Sequence, residues 1–197
     1  VIGAVVLAAG GSSRLGKPKQ LLRFGKSSLL RRSAEAALEA GCRPVVVVLG
    51  AESGRVGPEV EDLPVTVVVN ERWREGMAAS ILAGVEALRC EEPGAEALLL
   101  LVCDQPHLSA ELLRRLCAAF DGREGRRVAC EYGGTVGVPA LFHRSLFDRL
   151  AGLRGDRGAK SLLLEAGEDL LTLSWPEGAT EIDRPEDWSS FRKRGPD

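Results

Sequence analysis

Four stretches of this chain carry residues able to do chemistry, and their types point to phosphate and a hard cation. Gly10, Gly11, Ser12 and Ser13 follow the apolar run 5–9, and Arg14, Lys17 and Lys19 come directly after. Glycines let the backbone approach an anion closely, and the cations supply counter-charge. Asp104 ends a strongly apolar run, 98–103, where packing gives no reason for a carboxylate. Mg²⁺ takes such an oxygen together with substrate phosphates and retained water. Spacing leaves Asp156, Asp183 and Asp187 as equal candidates for a second carboxylate. His107 and His143 stand far apart and have no partner for a nucleophilic triad.

The first loop differs from the common phosphate binders. From Gly11 to Lys17 the spacing matches a P-loop, but Pro18 stands where the metal-holding Ser or Thr belongs. A dinucleotide fingerprint, GxGxxG, cannot be read from Gly10 onward. A triphosphate held by a loop of another kind fits Arg14 and Lys19.

The elements that must position these residues alternate between strand and helix. Apolar runs at 5–9, 45–49, 65–69 and 98–103 read as strands, the second buried on both faces. Helical spacing marks 27–40 and 77–88, and a helix from the N-cap Ser109 to 120. Weaker signals predict strands at 128–132, 135–139 and 170–174, and helices at 141–150, 160–166 and around Trp188. The charged run 121–127 reads as a solvated connection, and 192–197 as a fraying tail. This alternation predicts a three-layer α/β fold with a mainly parallel sheet. The first four strands end in Gly10, Gly50, Asn70 and Asp104. If they are parallel, those ends gather on one rim, where open α/β sheets bind ligands.

Composition agrees with one folded domain over 1–197. The 197 residues are 45% hydrophobic and 27% charged, with a net charge of -2. That balance supports neither nucleic-acid nor anionic-membrane binding, and no run is long enough to span a bilayer. The five cysteines form no CxxC pair and read as reduced thiols. Without a basic-then-apolar leader, a cytoplasmic location is expected.

The motifs closely resemble those of the molybdenum-cofactor nucleotidyltransferases, and among them the cytidylyltransferase branch. The matching stretches are LAAGGSSRLGKPKQLL at 7–22, NERWREGMAASILAG at 70–84 and CDQP at 103–106. YGGTVGVPALF at 132–142, GDRGAK at 155–160 and EIDRPED at 181–187 complete the set. The resemblance implies a Rossmann-like nucleotidyltransferase fold, with a nucleotide half at about 1–106 and an acceptor half at about 107–191.

It further implies that Leu7, Ala8, Ala9, Gly10, Gly11, Ser12 and Ser13 hold base and phosphates, joined by Gly76 and Ser80. Arg14 and Lys19 would neutralise the triphosphate. Asp104 would be the principal Mg²⁺ ligand and Asp183 the second acidic position, while Gly137, Asp156 and Lys160 would face the pterin acceptor. Relatives with LAAG at the first motif look CTP-specific and those with LAGG GTP-specific, so Ala9 implies CTP. Val138 departs from the pattern, since many relatives carry a polar residue there. The implied partners are CTP, or GTP in the sister branch, and molybdopterin, with a client molybdoenzyme or its chaperone downstream. Rival readings are a sugar- or alcohol-phosphate transferase and a non-catalytic nucleotide-binding delivery protein.

Overall fold

Long β-branched and leucine runs form the centre of a twisted sheet, because strands covered on both faces need apolar residues throughout. The computed structural model describes residues 1–194. In chain order the elements are β1 (Ile2–Ala8), a two-residue hairpin of β2 (Arg23–Phe24) and β3 (Ser27–Ser28), α1 (Leu29–Glu39) and β4 (Val45–Leu49). Then come α2 (Ser53–Val56), β5 (Thr66–Val69), α3 (Met77–Glu91), β6 (Ala97–Val102) and α4 (Ala110–Ala119). The second half holds β7 (Arg127–Tyr132), β8 (Thr135–His143), α5 (Phe147–Ala151), α6 (Lys160–Leu164), β9 (Leu170–Ser174) and α7 (Pro185–Arg194).

Seven strands pair in the order β5-β4-β1-β6-β8-β7-β9. β5, β4, β1 and β6 are all parallel, as the rim argument requires. β8 runs antiparallel to β6 and to β7, and β9 is parallel to β7. The sheet is therefore mixed and mostly parallel, as the expected Rossmann-like fold requires.

Alternate residues of each strand feed opposite layers. Val6, Val47, Leu99 and Leu101 pack with Leu30, Ala34, Leu113 and Leu116 of α1 and α4. Val5, Val46, Val48, Leu98 and Leu100 pack with Ile81, Val85, Leu88, Leu150 and Leu163 of α3, α5 and α6. A third cluster joins Leu15, Leu22 and Leu29 to Ile182, Trp188 and Phe191. It clamps α7 onto the loop that follows β1.

Three expectations need correction. The predicted helix at 141–150 is strand as far as His143, and α-helix begins only at Phe147, after a 3-10 turn at Arg144–Leu146. Leu141 and Phe142 pair with β6 on one side and β7 on the other, and that long-range ladder overrides local spacing. The charged connection is not wholly solvated, because Arg126 and Arg127 are buried. Arg126 survives burial by forking onto Asp121 and donating to the carbonyl of Glu168. Of the tail expected to fray, residues 192–194 belong to α7, and 195–197 lie outside the described residues. Among the described residues, no helix is long and apolar enough to cross a membrane.

Candidate active site

The carboxyl ends of β1 and β6, with the start of α3 and the turn before it, border a cavity of about 490 Å³. It is lined by Leu7, Ala8, Ala9, Gly10, Gly11 and Lys19 from the first motif, and by Gly76 and Ser80 from the second. Asp104 and Asp156 reach it from two further loops.

The first loop is held in shape by its own side chains. Ser12 takes a left-handed backbone (φ 51°), and its carbonyl accepts from the amides of Leu15 and Gly16. Its hydroxyl accepts from the amide of Lys19 at 3.0 Å. Gln20, fully buried, donates through Nε2 to the carbonyls of Ala8 (2.8 Å) and Gly10 (2.9 Å). The chain leaving β1 is thereby held at two carbonyls by one buried amide. Ser12 therefore shapes the loop, and neither it nor Ser13 lines the cavity.

The ends of β4 and β5 support lining residues from behind. Ala9 is buried, and its carbonyl accepts from the amide of Ala51 at 3.0 Å. Gly50 leaves no room for a side chain: a Cβ there would lie 2.7 Å from the Ala9 oxygen and 2.7 Å from the Cβ of Trp73. Asn70 donates through Nδ2 to Ser80 Oγ at 3.0 Å and accepts from the amide of Arg72, tying α3 to the end of β5. Ser80 keeps its own proton free to donate. The indole of Trp73 borders the cavity, as does Arg74, whose guanidinium lies 4.5 Å from the ring centroid.

Charges converge around Lys19 and Asp104 of the lining, with Arg14 and Asp183 just outside it. Lys19 Nζ donates to Asp104 Oδ2 at 2.5 Å and to Asp183 Oδ1 at 3.2 Å. Arg14 pairs with Asp183 Oδ2 at 3.0 Å. Burial by itself would push the Lys19 ammonium down, but the charge and hydrogen bond of Asp104, with help from Asp183, hold it above the ordinary lysine value. It is a cation throughout the physiological range. Burial and the neighbouring Asp104 push the Cys103 thiol up to about 12, so that thiol stays protonated.

Asp183 owes its place to α7. The amide of Ile182 donates to the Asp104 carbonyl at 3.1 Å, and the Ile182 side chain is buried in the third cluster. Asp187 accepts from the amides of Asp183 and Arg184, so it caps α7. Asp156 lies across the cavity beside Gly76. Spacing left these three carboxylates equal, and only Asp183 meets Lys19.

The pair Asp104 and Asp183 fits a hard cation. Asp104 Oδ1 is buried with no hydrogen-bond partner, and a carboxylate oxygen is the donor Mg²⁺ prefers. No cluster of three or more His, Cys, Asp or Glu side chains able to hold a metal occurs among the described residues. One or two carboxylates suffice when phosphates complete the shell.

After β6, Gln105 is buried and donates to the Val138 carbonyl at 3.0 Å and to Tyr132 Oη at 3.2 Å. Tyr132 donates to the same Val138 carbonyl at 2.7 Å. A Cβ at Gly137 would lie 2.4 Å from Tyr132 Oη, so Gly137 makes room for that bond and does not border the cavity. Burial pushes the Tyr132 phenol up to about 12. Lys160 starts α6, exposed and outside the cavity lining.

Sequence reasoning missed Gln20, Arg74 and Gln105. Arg74 carried a readable signal, a cation beside Trp73 in the second motif. The two glutamines carried none, since their value depends on which carbonyls the fold brings beside them.

The profile of the MobA-like NTP transferase domain matches residues 4–170. The chain belongs to this family. It is a nucleotidyltransferase of MobA-like type. A nicotine blue oxidoreductase of Paenarthrobacter nicotinovorans is 35% identical over 174 residues, 82% of this chain and 81% of that one. A molybdenum cofactor cytidylyltransferase of Escherichia coli (strain K12) is 22% identical across 98% of this chain and 96% of its own. The crystal structure of Rv0371c of Mycobacterium tuberculosis H37Rv in complex with manganese superposes with a TM-score of 0.78. Its identity is 28%, and 98% of each chain is covered.

Proposed function

We propose that this nucleotidyltransferase moves a cytidylyl group from CTP to the terminal phosphate of molybdopterin and releases pyrophosphate. The observation carrying this reading is that one cavity joins two kinds of lining. Buried Ala9 and Ser80 line it together with Lys19 and Asp104, and Lys19 also reaches Asp183 just beyond the lining. A nucleoside triphosphate likewise joins a flat base to a string of anions. The volume lies in the usual range for small-molecule sites.

The residues divide the work. Ala9 narrows the base slot by one methyl, which favours a pyrimidine over a purine. Ser80 offers a hydroxyl to ribose or base. Arg14 and Lys19 bring positive charge to the triphosphate, where charge develops as pyrophosphate departs. Mg²⁺, held by Asp104 and Asp183, would add neutralisation of the same charge and polarise the phosphoryl oxygen. Manganese in the mycobacterial structure supports a divalent cation in this family member too. The attacking phosphate is already an anion at neutral pH, so no side-chain base is needed and positioning carries the rest. Asp156, Gly137 and Lys160 belong to the acceptor half, about 107–191, with Gly137 acting through Tyr132. Five free cysteines agree with a reducing, cytoplasmic setting.

The name of the E. coli relative supports the acceptor, and Ala9 supports the base. A nucleotide panel read by pyrophosphate release, with and without molybdopterin, is the test. Release only with CTP and molybdopterin together is expected. Faster release with GTP would overturn the base, and release with a sugar phosphate alone would overturn the acceptor. Because one relative is named an oxidoreductase, NADH and NADPH consumption with the same acceptor serves as the control. No turnover is expected there.

A further inference from the structure

The carboxylates assigned to the divalent cation already hold a cation of the chain's own. A single ammonium, Lys19 Nζ, lies 2.5 Å from Asp104 Oδ2 and 3.2 Å from Asp183 Oδ1, and Arg14 takes the other oxygen of Asp183. The side chains of Lys19 and Asp104 are only 18% and 16% exposed, so water screens this contact weakly. Asp104 Oδ1 is left buried and unpaired.

The Lys19 backbone is fixed, since its amide donates to Ser12 Oγ, while its four-carbon stem is flexible and lines the cavity. A divalent ion brought between these carboxylates would meet the ammonium at close range, and like charges there repel strongly. A triphosphate reverses the balance, because it offers the ammonium several anionic oxygens at the other side of the same cavity.

We infer that Lys19 is a resident counter-ion that closes the Asp104–Asp183 pair to divalent metal until a triphosphate draws the ammonium away. Metal is then admitted with or after the nucleotide and never before it. The free protein keeps two close carboxylates neutralised without holding metal. The same side chain that guards the metal site becomes the phosphate ligand once nucleotide arrives. This inference rests on the proposed role of Asp104 and Asp183 as cation ligands.

Mn²⁺ binding to the nucleotide-free protein, read from the electron paramagnetic resonance of the free ion, is the test. Wild type and Lys19→Arg should bind weakly, because both keep the cation. Lys19→Met should bind at least about tenfold more tightly, and Lys19→Met with Asp104→Asn should lose that gain. If wild type binds as tightly as Lys19→Met and Asp104→Asn abolishes both, the carboxylates hold metal but Lys19 does not exclude it. The inference then falls and the proposed function stands. If neither wild type nor Lys19→Met binds Mn²⁺, the metal assignment falls with it. A second measurement needs no altered fold: the Nζ resonance of Lys19 in wild-type protein labelled with ¹⁵N-lysine, assigned by its loss in Lys19→Arg. CTP without metal should shift it and Mg²⁺ alone should not. A shift with Mg²⁺ alone would overturn the inference.

Discussion

Gly76 faces the carbonyl of Gly155 so closely that a Cβ on Gly76 would lie 2.4 Å from that oxygen. Its φ of 107° is also one that L side chains rarely adopt. Next to it, the amide of Ala78 donates to the same Gly155 carbonyl at 3.0 Å. This contact seats the loop bearing Asp156 on the start of α3. Gly76→Ala should therefore destabilise the fold by about 2 kcal/mol through backbone strain, and the displaced loop should weaken CTP binding about tenfold. Urea unfolding and calorimetric titration of CTP measure the two effects.

Gln20→Ala leaves the Ala8 and Gly10 carbonyls without their donor. Losing the buried bond to Ala8 and the part-buried one to Gly10 should cost about 2 kcal/mol of stability. Because those carbonyls shape the start of the phosphate loop, KM for CTP should rise as well. An unchanged KM with lowered stability would confine Gln20 to the scaffold.

Asp104→Asn keeps an acceptor for Lys19 but removes the charge. Pyrophosphate release should drop at least about a hundredfold, as expected when several kcal/mol of metal-assisted stabilisation are lost. The far-ultraviolet circular dichroism and melting profile should remain those of a folded protein, since the backbone bond from Ile182 to the Asp104 carbonyl is untouched.

Ala9→Gly widens the slot beside Gly50 and Trp73 by one methyl. The ratio of kcat/KM for CTP over GTP should fall about tenfold, the lower end of what one such group can discriminate. An unchanged ratio would place base selection elsewhere.

Asp121 supplies a pH prediction remote from the site. The forked Arg126 guanidinium, helped by the amide of Arg123, holds its carboxyl down at about 2. A carboxyl depressed in the folded state adds stability above its unfolded value, and that stability is lost as pH falls toward the folded value. Asp121→Asn should therefore destabilise the protein at pH 7, and the difference from wild type should shrink between about pH 4 and pH 2. Urea unfolding of both proteins across that window checks the sign.

The parallel half of the sheet was legible because it is coded locally. Runs such as Val45–Leu49 and Ala97–Val102 are apolar on both faces, and each stops where a loop residue must face the rim. β8 was not legible, since residues 141–143 become strand only through partners on β6 and β7. The burial of Arg126 likewise depends on a carbonyl 42 residues away. Within the site, Lys19 and Asp104 could be named from their positions after apolar runs, while Gln20 and Gln105 could not.

Residue order alone determined that cations follow the first strand, that a lone carboxylate follows the fourth, and that parallel pairing would bring them together. Which distant carboxylate joins them was a tertiary decision. Asp156 lies against Gly76, and Asp187 accepts from the amides of Asp183 and Arg184 at the start of α7. Asp183 meets Lys19 across 164 residues because Ile182, Trp188 and Phe191 bury themselves against Leu15 and Leu22. Apolar burial is non-directional and carries no local period, so no spacing in the chain could announce that contact.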